Sequence, residues 1–259
     1  MLSMVYQGQE VSEDLVRHIV LTNLQKFKKM FGAEYGEVVV CCDSPNPWRK
    51  DVFPLYKANR KKARDSSDAD WEEIFRIVRL IKDEIRENLP YKVIEVPRAE
   101  GDDIIATLAL HYSGPHMIVS NDKDLKQLQV REGIRQYHPI NNTDETLSII
   151  DNPEEFLLEH IIRGDSSDGI PNAYSPDDCF VTKTRQVVLT KKRIEEMKIK
   201  KDHYFERNKK LISLFEIPET ITKQIVEQYE TVEKANRSKI LTYLGSKGLK
   251  KLLQTAGDF

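Results

Sequence analysis

Apolar residues recur at helical spacing in two long segments of the N-terminal half. The first, residues 12–31, begins at Ser12, which can cap a helix, and Gly32 is typical of its end. Its apolar stripe comprises Leu15, Ile19, Val20, Leu24 and Phe27. The second, residues 71–89, follows the candidate cap Asp70. Its apolar positions are Trp71, Ile74, Phe75, Val78, Ile81, Ile85 and Leu89. Each segment predicts an amphipathic helix.

Three short apolar runs predict strands: EVVVCCD (37–43), YKVIEV (91–96) and HMIVS (116–120). The first is continuously apolar, which suits a strand buried on both faces of a sheet. Another helix is expected to begin within RAEGDDIIATLALHY, residues 98–112, between the last two runs. Strands that alternate with helices predict an α/β fold with a mostly parallel sheet flanked by helices.

The strand signals fade from about residue 150. The stretch NPEEFLLEHIIRG and the segments near 205–215 and 218–235 have helical spacing. We therefore predict an α/β domain over residues 1–148 and a helical C-terminal domain over residues 149–259.

Composition sets the broad class of the protein. With 259 residues, 39% of them apolar, the chain can bury a real core. Its start lacks the pattern of a secretory signal, and no apolar run reaches the roughly 18 residues of a membrane span. Three cysteines, two of them adjacent at Cys41 and Cys42, suggest small buried hydrophobes in a reducing compartment. We expect a cytoplasmic protein without a membrane partner.

Basic residues concentrate in one segment, although the formal net charge is −2. Residues 48–64, WRKDVFPLYKANRKKAR, contain seven basic side chains and a single acid, with three aromatic residues between them. The basic residues are Arg49, Lys50, Lys57, Arg60, Lys61, Lys62 and Arg64. This mixture suits a phosphate backbone and unstacked bases. A solvated helix face is the alternative, and it is the commoner explanation of an isolated basic run.

Acidic residues collect after successive predicted strands. Because ligands of open α/β sheets bind beyond the carboxyl ends of the strands, these side chains are expected to converge. The stretch GDSSDGIPN, residues 164–172, contributes two more acids from the helical region. The eight acids are Asp43, Glu100, Asp102, Asp103, Asp122, Asp124, Asp165 and Asp168. Each alone could be a helix cap or a turn residue.

Crowded carboxylates repel one another, and a stable cluster therefore implies bound cations. Ligands that are all oxygen atoms, without histidine or cysteine partners, favour Mg²⁺ or Mn²⁺ over zinc. Two such cations support hydrolysis of phosphodiesters without a side-chain nucleophile. Motifs of competing chemistries, including GxSxG, GxxxxGK[ST], GxGxxG and HExxH, do not occur in the sequence.

Four motifs, in order, resemble those of the 5′-nuclease family, which includes flap endonucleases and the 5′-exonuclease domains of bacterial DNA polymerases. YKANR within the basic segment resembles the family's arch motif, and AEGDD resembles its EADD-type motif. SNDKDLKQL resembles its strand-end motif, and GDSSDGIP resembles its GDxSDNIPG loop. The match is strongest to the T-even bacteriophage branch and extends to the C-terminal LKKLLQTAGDF. The resemblance implies a PIN-like or resolvase-like nuclease domain followed by a helix-three-turn-helix.

The resemblance also implies residue roles. One metal would be held by Asp43, Glu100, Asp102 or Asp103, and Asp122, and the second by Asp124, Asp165 and Asp168. Tyr56, Lys57 and Arg60 would act in catalysis from an arch at about residues 46–68 that covers the centre. Residues implied to contact nucleic acid are Arg49, Lys50, Lys57, Arg60, Lys61, Gly164, Ser166 and Gly169, the last three through the turn that follows duplex phosphates.

The implied activity is that of a 5′-3′ exonuclease and flap endonuclease with two Mg²⁺ ions, for which Mn²⁺ can substitute. It would remove RNA primers and 5′ flaps from duplex DNA during replication. The family also implies a monomer that is recruited by a single-strand-binding protein or a sliding clamp.

Two departures from the family pattern qualify these expectations. The family begins with a strand that carries a metal-binding aspartate, whereas this chain opens at MLSMVYQGQEV, so we expect a weakly active or inactive nuclease. Gly169 stands where the family usually has asparagine, and NAYSPDD replaces a glycine-rich turn. Two alternatives follow: a structure-specific nucleic-acid-binding protein without catalysis, and a PIN-type ribonuclease. The YKANR segment and the GDSSD turn argue against the latter.

Overall fold

The computed structural model describes residues 11–139 and 149–259, except for the side chains of residues 61–63. The helices are α1 (Glu13–Tyr35), α2 (Arg49–Val52), α3 (Ala58–Asp65), α4 (Trp71–Asn88), α5 (Gly101–His111), α6 (Pro153–Arg163), α7 (Cys179–Thr182), α8 (Lys191–Lys200), α9 (His203–Ile212), α10 (Glu219–Thr231), α11 (Lys239–Ser246) and α12 (Lys250–Gln254). Two 3₁₀ helices span Lys123–Val130 and Ala256–Asp258. The strands are β1 (Val39–Cys41), β2 (Lys92–Ile94), β3 (His116–Val119) and β4 (Ile134–Tyr137).

The chain forms two compact units, each assembled from separate segments. The first draws on Met1–Cys41, Ser67–Ile94 and Gln228–Phe259, and the second on Cys42–Ser66 and Glu95–Glu227. The division into domains at residues 1–148 and 149–259 stays a prediction. None of the described helices combines the length and apolar character needed to cross a membrane.

All pairing between the named strands is parallel, and the predicted α/β class is confirmed. In the first unit β1 pairs with β2, with Val40 opposite Val93. In the second unit β3 pairs with β4, with Ile118 opposite Gln136. The three apolar runs gave β1, β2 and β3, whereas the polar sequence of β4 had given no strand signal.

Strand β1 is less buried than its sequence predicts. All three of its residues are half-buried, as is Cys42, whereas Cys179 is buried. A strand whose partner in the described structure is a single neighbouring strand leaves one edge uncovered. The prediction of a strand buried on both faces was therefore wrong.

The two long helices of the first unit form where the sequence predicts them, with the predicted caps. The Ser12 hydroxyl accepts a hydrogen bond from Leu15 N–H at 3.3 Å, and the Asp70 carboxylate accepts one from Glu73 N–H at 2.9 Å. Helix α1 does not end at Gly32. It continues to Tyr35 and ends at Gly36, whose φ of 81° favours glycine.

The buried faces of these helices differ from the predicted stripes. In α1, Val16 and Leu21 are the buried apolar residues, and the predicted stripe is only half-buried. In α4, Phe75 and Val78 are exposed, and Ile77 is fully buried. In α4 the predicted Ile74, Ile81 and Ile85 are buried. Each helix also buries a charged residue, Arg17 in α1 and Glu84 in α4, which an apolar pattern cannot indicate.

These charged residues form a buried ion pair in the first unit. Arg17 Nε lies 2.7 Å from Glu84 Oε2, and Tyr243 donates to the same oxygen at 2.8 Å. Lys247 Nζ lies 2.6 Å from Glu84 Oε1. Burial alone would raise the pKa of Glu84, but the hydrogen bonds from Arg17, Lys247 and Tyr243 outweigh it and lower the pKa to about 2.

The pair predicts a loss of stability in acid. Since the folded-state pKa of Glu84 is depressed, its stabilisation is complete above the unfolded pKa of 4.5 and disappears as the pH falls towards 2. Relative to Glu84→Gln, the wild type should be more stable by about 3 kcal/mol at pH 7 and by almost nothing near pH 2. Urea unfolding across this range measures the difference. Glu72→Gln, an exposed change in the same helix, should show no such pH dependence.

The second unit packs two apolar clusters that frame the site. One lies around β3, β4 and α5 and comprises Ala106, Ala109, Ile118, Leu125, Leu128, Ile134 and Leu214. The other joins the basic segment to α6, α8 and α9 and includes Phe53, Tyr56, Ile161, Ile162, Ile170, Met197, Phe205, Leu211 and Ile212. Gln127 is fully buried and bridges the 3₁₀ helix to the end of α9, since its amide bonds Ile212 O and Leu214 N–H. The predicted helical character beyond residue 150 is confirmed.

Candidate metal and nucleic-acid site

Seven of the eight predicted acids line one cavity of about 240 Å³ in the second unit. They come from loops after strands, from the start of α5 and from the turn after α6. The seven are Asp43, Glu100, Asp102, Asp122, Asp124, Asp165 and Asp168. The expected convergence of acids from distant parts of the sequence is therefore present.

Backbone hydrogen bonds orient two of these acids. Asp43 Oδ1 accepts from Gly101 N–H at 2.7 Å, at the N-terminus of α5. Asp122 Oδ1 accepts from Asp124 N–H at 2.9 Å and so caps the 3₁₀ helix. Amide groups at helix starts favour negative charge, and each acid is thus held at the cavity with its second oxygen outside these bonds.

Asp103 is the predicted acid that does not reach the cavity. It is fully buried and accepts hydrogen bonds from the N–H of Glu100 at 2.9 Å, from Trp48 Nε1 at 3.1 Å and from Arg49 Nη1 at 3.0 Å. Its carboxylate is committed to capping α5 and to the arginine. The sequence left open whether Asp102 or Asp103 holds metal. Asp102 lines the cavity, whereas Asp103 is buried and bonds the residues around it.

The electrostatics of the cavity are unbalanced around Asp102. Burial, followed by the like charges of Asp122 and Asp43, raises the pKa of Asp102 to about 7. Burial also raises the pKa of Asp122. The Lys57 charge opposes both shifts only in part. Like charges that remain incompletely compensated are the condition that a divalent cation relieves.

The basic segment places cations on the other acids. Lys57 Nζ lies 2.5 Å from Glu100 Oε1 and 3.5 Å from Asp168 Oδ2, and the Arg60 guanidinium donates to Asp168 Oδ1. Burial would raise the pKa of Glu100, but the charges of Lys57 and Arg49 outweigh it and lower that pKa. The Tyr56 hydroxyl lies 2.9 Å from Glu100 Oε2 and 3.1 Å from Asp168 Oδ2. Lys57, Arg60 and Tyr56 are thus all drawn to the carboxylates.

Backbone contacts join the basic segment to the GDSSDG turn. Lys57 N–H donates to Asp168 O at 2.8 Å, and Asn59 Nδ2 donates to Ser166 O at 3.0 Å. Lys57 adopts a φ of 57°, a conformation that costs a non-glycine residue free energy. The surrounding contacts hold this strained residue, and its ammonium group is thereby fixed at the acids.

The turn is closed by its own hydrogen bonds. Gly164 N–H donates to His160 O at 2.9 Å and Gly169 N–H donates to Ser166 O at 3.2 Å. Both glycines are buried, whereas Ser166 is exposed. This geometry argues against the predicted contacts of the Gly164 and Gly169 amides with duplex phosphates, because those N–H groups are already used. The contact predicted for Ser166 stays a prediction.

Gly164 is required by the turn. Its φ is 69°, and a Cβ atom built there would lie 2.5 Å from the carbonyl oxygens of Ile170 and Pro171. We expect Gly164→Ala to cost at least about 2 kcal/mol of unfolding free energy, since backbone strain and a clash with backbone add. Gly245→Ala, in α11 with open space around it, should cost nothing. Denaturant unfolding of both variants checks the difference, and equal stability would contradict this account of the turn.

The other residues predicted to bind nucleic acid have different surroundings. Arg49 is buried, and its guanidinium bonds Leu211 O at 2.8 Å besides Glu100 and Asp103. A guanidinium without exposed surface cannot contact phosphate, so the prediction for Arg49 is corrected to a supporting role. Lys50 is exposed, and the Lys61 side chain lies outside the described part of the chain.

The sequence analysis missed His160, which lies in α6. Its Nε2 is 2.9 Å from Asp124 Oδ1 and 3.7 Å from Asp165 Oδ2, so the acids are not the oxygen-only set that was predicted. The three side chains could hold a metal ion. A histidine in an apolar helix, five residues before the first aspartate of the GDSSD turn, was the available signal.

Comparisons with known proteins show which families this chain resembles. The family model described as "5′-3′ exonuclease, N-terminal resolvase-like domain" matches residues 8–157, and the model "T4 RNase H, C terminal" matches residues 151–259. The chain is 26% identical to the ribonuclease H of Enterobacteria phage T4, over 97% of this chain and 88% of that protein. It is 31% identical to a 5′-3′ exonuclease of Buchnera aphidicola, over 52% of this chain and 46% of that protein. The chain thus spans about half the length of this bacterial relative.

Two solved structures share the fold. A bacteriophage T5 flap endonuclease, in a pseudo-enzyme-product complex with DNA and metal ions, has a TM-score of 0.62 at 16% identity, covering 88% of this chain and 96% of its own. A T5 protein co-crystallised with metal ions has a TM-score of 0.57 at 16% identity, covering 91% of this chain and 89% of its own.

Proposed function

This chain belongs to the 5′-3′ exonuclease family, and from that premise we propose that it is a divalent-metal-dependent 5′-nuclease. It would act as a 5′-3′ exonuclease and flap endonuclease that removes RNA primers and 5′ flaps from duplex DNA during replication. The observation that carries the proposal is the cavity lined by seven acids, in which burial and the like charges of Asp122 and Asp43 raise the pKa of Asp102 to about 7.

The side chains of the cavity fit two divalent cations. Asp43, Asp102 and Asp122, with Glu100 beside them, would hold one, and Asp124, Asp165 and Asp168 would hold the other. Carboxylate oxygens suit Mg²⁺, and Mn²⁺ can substitute. When bound, the cations would supply activation of water and stabilisation of charge on the phosphate oxygens.

Lys57 and Arg60 would contact first the carboxylates of the cavity and then a phosphate of the substrate. In the structure they neutralise Glu100 and Asp168. When cations take over these carboxylates, the two basic groups can turn to a phosphate in the same cavity, since the Arg60 side chain is 48% exposed. Tyr56 keeps Glu100 and Asp168 oriented through its hydroxyl group.

The role of Arg60 predicts a change in salt dependence. Arg60→Ala removes one phosphate contact, so the slope of log Kd for a 5′-flap duplex against log salt should become shallower by about one. Lys223→Ala removes an exposed lysine that pairs with Glu219 and should leave the slope unchanged. Fluorescence anisotropy at several salt concentrations, in Ca²⁺ to prevent cleavage, gives both slopes. Equal slopes for Arg60→Ala and the wild type would support the alternative that residues 48–64 form only a solvated helix face.

The proposal is tested with duplexes labelled at the 5′ end of an RNA primer or of a flap. We expect short labelled products that need Mg²⁺ and disappear with a chelator. Gel shifts of the same duplexes without any cleavage, in either Mg²⁺ or Mn²⁺, would instead support the alternative of a binding protein. Cleavage that persists in the chelator would refute the metal-dependent mechanism.

Other expectations stay predictions. These are the preference for RNA or DNA, the single-strand-binding protein or sliding clamp as partner, the monomeric state and the cytoplasmic location.

A further inference from the structure

We infer that His160 supplies a nitrogen ligand to the second cation position, so that this position prefers Mn²⁺ or Co²⁺ to Mg²⁺. The inference rests on the proposed function in one respect, namely that the cavity binds divalent cations. It adds a ligand of a different chemical type to the carboxylates considered so far, and it assigns His160 to metal selectivity.

The donor atoms have the spacing of one coordination sphere. His160 Nε2 lies 2.9 Å from Asp124 Oδ1 and 3.7 Å from Asp165 Oδ2, and single donors of the three residues all lie within 4.8 Å of one another. Two ligands bonded to one cation at about 2.1 Å and at right angles are about 3 Å apart. The three donors can therefore converge on one ion with small side-chain movements.

Two of these donors are buried without a hydrogen-bond partner. His160 is 7% exposed, and neither its Nε2 nor Asp124 Oδ1 has a partner of suitable geometry within the described structure. The imidazole also packs against the Phe156 ring, with 6.0 Å between centroids and 29° between planes. Leaving buried polar atoms unpaired is unfavourable. A cation between them would remove this cost.

The groups around Asp165 Oδ2 can rearrange to admit a cation. Asp165 Oδ1 is occupied by the Ser167 hydroxyl at 2.5 Å and the Ser167 N–H at 2.8 Å, which directs Oδ2 towards the histidine. Lys123 Nζ lies 3.0 Å from that Oδ2, and its side chain is 55% exposed. The ammonium group can therefore move into solvent when a cation arrives.

An imidazole ligand changes which metals are favoured. Carboxylates and water suit Mg²⁺ well, whereas a neutral imidazole adds more affinity for transition metals, and this gain increases from Mn²⁺ to Co²⁺. The inferred site at this position therefore differs from the oxygen-only magnesium site that the sequence predicts. Replacing His160 should lower the preference for Co²⁺ over Mg²⁺ by at least about 10-fold.

The test is pulsed electron paramagnetic resonance of Mn²⁺ bound to the full chain. A coordinated imidazole gives modulation from its nitrogen, and labelling histidine with ¹⁵N shifts that modulation. We expect it in the wild type and in His18→Gln, a matched change at an exposed histidine of α1, and its loss in His160→Gln. Competition between Co²⁺ and Mg²⁺ in the same proteins should show the reduced preference in His160→Gln alone.

Each outcome decides the inference. Absence of nitrogen modulation in the wild type would overturn it without reference to any variant, and so would modulation that survives in His160→Gln. If His160→Gln does not fold, the same measurement on His160→Asn decides whether the nitrogen modulation comes from His160. Mg²⁺-dependent cleavage without nitrogen modulation would overturn this inference alone. Nitrogen modulation in a protein that cleaves nothing would overturn the proposed function and leave the ligand assignment intact.

Discussion

Asp122→Asn is expected to lower the rate constant of metal-dependent cleavage by at least about 100-fold, because groups that merely support metal ligands already contribute 10–100-fold. Asp122 lines the cavity and is one of the charges that raise the pKa of Asp102. An asparagine can still cap the 3₁₀ helix through its side-chain oxygen, so the fold should persist. Affinity for duplex DNA should be unchanged or higher, since one negative charge is removed.

Single-turnover cleavage of a 5′-labelled flap duplex measures the rate, and anisotropy in Ca²⁺ measures the affinity. Asp151→Asn makes the same chemical change at an exposed residue outside the cavity and should cleave like the wild type. A second readout needs no substrate: removing the charge of Asp122 should lower the pKa of Asp102 in the metal-free protein, which NMR titration can follow. Normal cleavage by Asp122→Asn would exclude this residue from the centre.

Asp103→Asn should lose stability, whereas Asp102→Asn should lose metal-dependent cleavage. Asp103 pairs with the buried Arg49 and accepts from Trp48, so its replacement leaves a buried positive charge with one fewer partner. We expect a loss of about 3 kcal/mol in unfolding free energy. Asp102→Asn should instead retain stability and lose metal-dependent cleavage, because Asp102 lines the cavity and makes no ion pair in the described structure.

The difference in stability between Asp102→Asn and the wild type should also depend on pH. The folded pKa of Asp102 is about 7 and its ordinary value is 3.8, so between these values the folded state holds a proton that the unfolded state lacks. Stability of the wild type without metal therefore falls as the pH rises through this window, and the cost remains above pH 7. In a chelator, Asp102→Asn should exceed the wild type in stability at pH 8 and lose much of that advantage by pH 4. An unstable Asp102→Asn beside a stable Asp103→Asn would reverse the assignment.

The sequence predicted the site better than it predicted helix faces. The acids could be predicted because ligands of α/β folds bind beyond the carboxyl ends of the strands, and seven of the eight acids line one cavity. Arg17 and Glu84 lie on the buried faces of α1 and α4, and only the tertiary structure shows that two charges 67 positions apart are partners.

The different surroundings of Asp102 and Asp103 also depend on tertiary structure. Asp102 and Asp103 follow one another, but the helix turns the first towards the cavity and the second towards Arg49. The sequence predicted that Arg49 and Lys57 would both be basic surface residues. Arg49 is instead buried and bonds Glu100, while Lys57 contacts the same carboxylate from the cavity. His160 gave little signal because a lone histidine in an apolar helix is more often part of a core.

Anomalous scattering at the manganese edge, from crystals of the full chain soaked in Mn²⁺, tests most directly whether these acids form one metal centre. We predict two peaks in the cavity, one against Asp102 and Asp122 and the other against Asp124 and Asp165. Full Mn²⁺ occupancy elsewhere on the protein, with no peak among these carboxylates, would contradict the account.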